Sequence, residues 1–212
     1  MPDATFVASL KDALAARFGE KFKVDPALPG LDELARIASH RVHRRFLAKN
    51  VPGDLLRLLC ACAQSAPSKS DLQQADILIV RDERKRRTIE ALLPEMPWIA
   101  EAPVFLVFLA SGARLPRIAA LRGKPFPNDH LDQFHNAVSD ASIVLATFLR
   151  AATAVGLGCC PISVIRDHAA KVSELLALPQ RVIPLAGLCV GWPAEEGGIT
   201  PRLDLSCDES LG

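Results

Sequence analysis

The chain predicts an α+β protein, a sheet flanked by helices. Short β-branched or continuously apolar runs are interspersed with longer runs of helical period, an order that fits neither a helix bundle nor an all-β protein. Half of the 212 residues are hydrophobic, enough to bury one sizeable core. No internal repeat or low-complexity segment interrupts it. The expected organisation is a helical arm over residues 1–30 and one domain over 31–212.

The elements follow in order. Phe6, Leu10, Leu14 and Phe18 recur on one face, predicting a helix within residues 1–24. Pro26, Pro29 and Gly30 break it. This arm packs either on a partner subunit or on its own domain. Leu34, Ile37 and Ala38 predict a second helix over 31–39. Asp54, after Pro52 and Gly53, is placed to cap a third over 55–65, and Pro67 ends it. A strand is expected over 75–80 and a charged helix over 82–93. The run 103–110 is continuously apolar, which predicts a strand buried on both faces. Residues 111–129, rich in Gly, Pro, Arg and Lys, read as a mobile loop or lid. Phe134, Ala137, Val138, Ala141, Val144, Leu145, Phe148 and Ala152 predict a long helix over 131–155, capped by Gly156. A helix so apolar is either a domain core or a subunit interface. Strands over 159–165 and 182–190 bracket a helix over 167–176 with an Asp start, and an extended tail follows Trp192.

Charge narrows the function. The net charge is +1, spread along the chain, which speaks against a nucleic-acid role. The basic cluster of 82–93 reads as a solvated helix face. No apolar run reaches the ~20 residues of a membrane span. The N-terminus lacks a basic start followed by an apolar run, so a cytoplasmic location is expected. The six cysteines fit neither zinc nor thioredoxin spacing, and most lie in apolar stretches where cysteine acts as a small hydrophobe.

Two polar groups stand out. In S-H-R-V-H-R-R-F, residues 39–46, Arg41 and Arg44 offer planar forks of donors suited to phosphate oxygens; solvated surface charge is the other reading. His40 and His43 have no carboxylate or cysteine cluster beside them, so no metal site is expected. In A-P-S-K-S-D-L-Q, residues 66–73, Ser68, Ser70 and Gln73 can donate to phosphate or polyol oxygens and Asp71 can accept from hydroxyls; plain loop polarity explains them equally. Gly156-Leu157-Gly158 follows a helix and precedes a strand, the reverse of a dinucleotide fingerprint. There is no phosphate loop, no nucleophile elbow and no paired carboxylate suggesting acid–base work. If the chain is an enzyme, a cofactor supplies the hard chemistry, and no side chain is assigned as catalytic.

Four segments in order resemble the flavin-dependent nitroreductase family, in its oxygen-insensitive NAD(P)H branch with the flavin reductases. Ser39–Phe46 is similar to its H-R-S-x-R-x-F opening, with Val42 in place of Ser. Residues 67–73 are similar to its Ser-rich loop, 156–166 to its G-L-G and strand, and 187–193 with 200–203 to its G-L-C-x-G-W-P and K-P-R-L, with Thr200 in place of Lys. The match covers about residues 31–203. The resemblance implies the family's mixed sheet flanked by helices, bound FMN, and a homodimer with FMN at the interface and the long helix in it. It implies NAD(P)H as reductant and a nitroaromatic, quinone or similar small molecule as acceptor. It implies that His40, Arg41, Val42, Arg44 and Arg202 lie at the phosphate, ribityl chain or ring edge, that Ser68, Lys69, Ser70, Asp71 and Gln73 contact flavin from the loop, and that Pro161, Ile162, Ser163 and Val164 line the ring, the last two replacing a Gly-Gly pair. A flavin carrier or sensor with little reductase activity is the alternative, motivated by Val42, Val164 and Thr200. The sequence stops at Gly212, before the branch's C-terminal extension, which leaves NADH and NADPH both open.

Overall fold

The fold is known from a computed structural model, which describes residues 4–203 and 205. They divide into two compact units, one of residues 4–42 with 196–203 and 205, the other of His43–Glu195.

The larger unit is built on a four-stranded sheet in the order β1-β2-β4-β3, with every pairing antiparallel. Its strands are β1 (Ala75–Ile79), β2 (Val104–Ser111), β3 (Gly158–Ile162) and β4 (Val182–Gly191). The apolar run in β2 is central and covered on both faces, as its composition requires. Leu106, Phe108 and Ala110 face one core layer; Phe105, Val107 and Leu109 face the other. Where β2 and β4 slip register at Phe108/Leu109, Pro184 stands opposite Leu109. A proline without an N–H is accommodated at such an irregularity.

The first layer is closed by α3 (Gly53–Gln64) and the long α7 (Leu131–Ala154), whose Ala137, Ala141, Val144, Phe148 and Ala152 form the buried stripe. The Phe148 ring meets Phe108 edge-on at 5.6 Å. Helix α7 is also long and apolar enough, by length and composition, to cross a membrane; its stripe serves the core. Gly156 lies at φ 80°, and the Leu157 N–H returns to the Ala152 carbonyl at 2.9 Å, so the expected glycine cap is present. The second layer is closed by α4 (Glu83–Leu92), α5 (Trp98–Glu101) and α8 (Ala169–Leu176). The Arg86 guanidinium holds α5 by its Ile99 and Ala102 carbonyls.

Several local expectations change. The stretch 111–129 contains a helix, α6 (Arg114–Leu121), because Pro116 falls in its first turn and Pro125 and Pro127 lie beyond its end. Asp54 lies inside the first turn of α3, with Pro52 as the uncapped N-cap residue. Strand β3 ends at Ile162, and Ser163–His168 tightens into a 3-10 turn, so Asp167 does not start α8.

In the smaller unit, α1 (Ala4–Phe18) packs on α2 (Leu31–Ala38) through Leu10 and Ala13 against Leu31, Ala35 and Ala38.

Candidate active site

In the larger unit, the loop 68–74 connects α3 to β1. Ser70, Asp71 and Gln73 lie at φ 51°, 54° and 51°, left-handed values that are strained for residues with a Cβ. Two clamps hold them there. The Asp140 carboxylate, on the buried face of α7 and 1% exposed, accepts the Lys69 N–H at 2.8 Å and the Gln74 N–H at 2.9 Å. The Arg114 guanidinium, on the first turn of α6, donates to the carbonyls of Gln73 and Ala75 and pairs with Asp76. The Ser68 hydroxyl accepts the Gln73 N–H at 3.1 Å. This leaves the side chains of Lys69, Ser70, Asp71 and Gln73 exposed around a tight turn. The neighbouring Gln74 amide is fully buried, with neither atom hydrogen-bonded among the described residues.

The segment 43–47 runs along the ends of β3 and β4. The His43 N–H donates to the Cys159 carbonyl at 2.9 Å, and the Leu47 N–H to Trp192 at 2.8 Å. Gly158 permits the first approach, since a Cβ there would lie 2.8 Å from the His43 ring. Arg44 is thereby placed with its guanidinium 5.2 Å from the centre of the Trp98 ring. Burial raises the pKa of the Cys160 thiol, and the nearby positive charge of the Arg44 guanidinium opposes the rise. Burial also holds Cys159 and Cys189 well above the usual thiol range. These thiols are poor nucleophiles, which agrees with their reading as small hydrophobes. Pro161 and Val164 are half-buried and Ser163 exposed, at the end of β3. Ile162 is 1% exposed and belongs to the second core layer.

In the smaller unit, His40, Arg41 and Val42 leave the end of α2, and Arg202 lies in the tail. Arg41 pairs with the exposed Glu196 at 3.3 Å. The backbone of Gly197 approaches the Val42 carbonyl so closely that a Cβ would lie 2.6 Å from it. Arg17 of α1, 7% exposed, donates from Nε to the Ala38 carbonyl at 2.5 Å, and from its two terminal nitrogens to the carbonyls of His40 and, at 3.2 Å, Thr200. The Arg17 carbonyl accepts the Arg202 N–H at 2.6 Å. Burial lowers the Arg17 pKa, and the nearby Arg202 guanidinium lowers it further. Two like charges are thus brought together at this end of the unit.

The sequence reading therefore falls into two groups: His40, Arg41, Val42 and Arg202 in the smaller unit, Arg44, Ser68, Lys69, Ser70, Asp71, Gln73 and 161–164 in the larger. Arg17, Asp140 and the clamping role of Arg114 went unread. Asp140 was signalled as a lone carboxylate within the apolar stripe of α7. Arg17 was signalled at helical spacing from Ala13 and Leu10. Arg114 is tied to Asp76. Among the described residues no His, Cys, Asp or Glu cluster can hold a metal ion.

The profile of the nitroreductase family matches residues 37–192. The chain belongs to the nitroreductase family. The nitroreductase-family chain is 35% identical over 170 residues to an FMN reductase (NAD(P)H) of Bacillus subtilis, covering 79% of this chain and 68% of that protein. It is 34% identical over 170 residues to an oxygen-insensitive NADPH nitroreductase of Salmonella typhimurium, with coverage of 79% and 68%. The solved structure of NfrA2 from B. megaterium superposes with a TM-score of 0.79 at 35% identity, covering 82% of this chain and 72% of that one. An NADPH:FMN oxidoreductase from Vibrio harveyi, complexed with NAD+, superposes with a TM-score of 0.75 at 29% identity, covering 82% and 74%.

Proposed function

We propose that this nitroreductase-family protein is an FMN-dependent oxidoreductase that passes reducing equivalents from NAD(P)H to a small acceptor such as a nitroaromatic or quinone. The observation that carries the reading is the fit between the residues and the cofactor. The smaller unit brings Arg202 beside the buried Arg17, a pair of cations whose mutual repulsion an anion would relieve. The larger unit holds hydroxyl, amide and ammonium donors outward on a clamped turn, a donor set suited to a polyol and a ring edge.

His40, Arg41 and Arg202 would hold the phosphate end of FMN. Arg44, Ser68, Lys69, Ser70, Asp71 and Gln73 would hold its ribityl chain and ring edge. Pro161, Ile162, Ser163 and Val164 would line the ring, Ile162 through its backbone. Val42 offers no hydroxyl, so its contribution would be the peptide group. When bound, FMN supplies the two-electron chemistry between NAD(P)H and the acceptor. The chain's own work is to orient the cofactor, place positive charge near it and keep part of its surface dry.

We also read the protein as a cytoplasmic homodimer. Leu58 on α3 and Phe134 and Ile143 on α7 are exposed large apolar side chains, which a second copy would cover. The flavin carrier remains the second reading, since Thr200 and Val42 stand where the family has Lys and Ser.

The test is a visible spectrum of the purified protein, followed by anaerobic addition of NADH or NADPH. A yellow protein that releases FMN on heating, and bleaches with either nucleotide, is expected. Bound FMN that stays oxidised with both nucleotides would establish the carrier instead. A protein that takes up no FMN would overturn both. Light scattering after gel filtration tests the dimer.

A further inference from the structure

We infer that Arg17, on a helix outside the family-matched span, is the positioning residue for the phosphate-binding segments. This deepens the proposed function and rests on its assignment of His40, Arg41 and Arg202 to the phosphate.

The matched span begins at residue 37, whereas Arg17 belongs to α1, Ala4–Phe18. Its guanidinium gathers carbonyls from two segments far apart in sequence: Ala38 and His40 on one side, Thr200 on the other. Each of these carbonyls belongs to a peptide next to, or one residue from, a residue of the assigned site. A trans peptide directs its C=O and N–H in opposite directions. With the His40 carbonyl drawn to Arg17, the N–H of Arg41 is directed away from it, as an anion-binding amide would be. The Thr200 carbonyl ties the tail in the same way, and the Arg202 N–H closes on the Arg17 carbonyl at 2.6 Å. One side chain thus fixes where both cationic segments stand.

The residue type matters. Only a planar fork with several donors reaches three carbonyls at once; a lysine offers a point charge. Among the described residues no carboxylate is a partner of Arg17. Its charge is compensated by carbonyl dipoles, so it adds positive potential to the unit instead of cancelling it. Its packing neighbours Leu10 and Ala13, buried against α2, set the helix that presents it.

The test separates phosphate positioning from general stability. Flavin-free full-length protein, as wild type, Arg17→Met and Arg17→Lys, is titrated with FMN and with riboflavin, read by flavin fluorescence, and the unfolding midpoint of each variant is measured. Riboflavin lacks the phosphate. Arg17→Met is expected to weaken FMN about tenfold or more while changing riboflavin less than about twofold, since a lost charge-assisted contact is worth one or more decades. Arg17→Lys, which keeps the charge and is the variant to read if Arg17→Met does not fold, is expected to narrow the FMN-over-riboflavin preference by a smaller factor. Equal weakening of both flavins, or an unchanged preference in the folded variants, overturns the inference. A wild type that binds FMN no better than riboflavin overturns the phosphate assignment itself, and that result is visible before any variant is made.

Discussion

Truncating Asp140 tests the larger unit most directly. Asp140→Ala removes the acceptor for two buried or half-buried N–H groups, at 2.8 Å to Lys69 and 2.9 Å to Gln74. A hydrogen bond to a charged group contributes ~1.5–3 kcal/mol, and donors left buried without a partner add to the loss, so ~3–5 kcal/mol is expected from the pair. The loop has a reason to respond. Three of its residues sit at left-handed φ without being glycine, each at a cost of ~1–2 kcal/mol that the clamp must offset. Asp140→Asn keeps one oxygen acceptor and turns an amide donor toward the other N–H, so about half the loss is expected. The assay is urea unfolding of the flavin-free protein, with the slope compared between variants, together with FMN titration. The loop should relax in Asp140→Ala, weakening FMN and riboflavin alike because ribityl and ring contacts are disturbed. A change in unfolding free energy below ~0.5 kcal/mol at unchanged slope would place Asp140→Ala among ordinary surface substitutions and refute the clamp.

Other expectations follow from single contacts. Gly187→Ala would set a Cβ 2.6 Å from the buried Phe105 ring and should destabilise by ~1–3 kcal/mol, whereas Gly53→Ala, with nothing within 4 Å, should be neutral or slightly stabilising in the same melts. The Asp82 carboxylate caps α4 by accepting the Arg84 and Lys85 N–H groups, which depress its pKa in the folded state. Its contribution is therefore present above the unfolded pKa of about 4 and is lost as pH falls through the lower folded value; the stability gap between wild type and Asp82→Ala should be constant at neutral pH and close in acid. Cys159 and Cys189, buried and poorly ionised, should stay unmodified by a thiol reagent at neutral pH until urea unfolds the protein, as mapped by mass spectrometry.

What the sequence determined by itself is what near neighbours determine. The apolar run of β2, the stripe on α7 and the glycine after it are periodicities and turn chemistry, and each folds as its local pattern dictates. The four motifs likewise named the family. The tertiary structure decided the rest, because it depends on which distant backbone groups a side chain meets. Asp140 reads as one acid on a helix until α7 lies under the loop 68–74 and its oxygens face two N–H groups. Arg114 reads as lid charge until α6 sets it against Asp76 and the Gln73 carbonyl. Arg17 is one basic residue on a terminal helix until α1 packs on α2 and presents its fork to carbonyls from two ends of the chain. Backbone carbonyls carry no residue identity, so no motif could have announced them as partners.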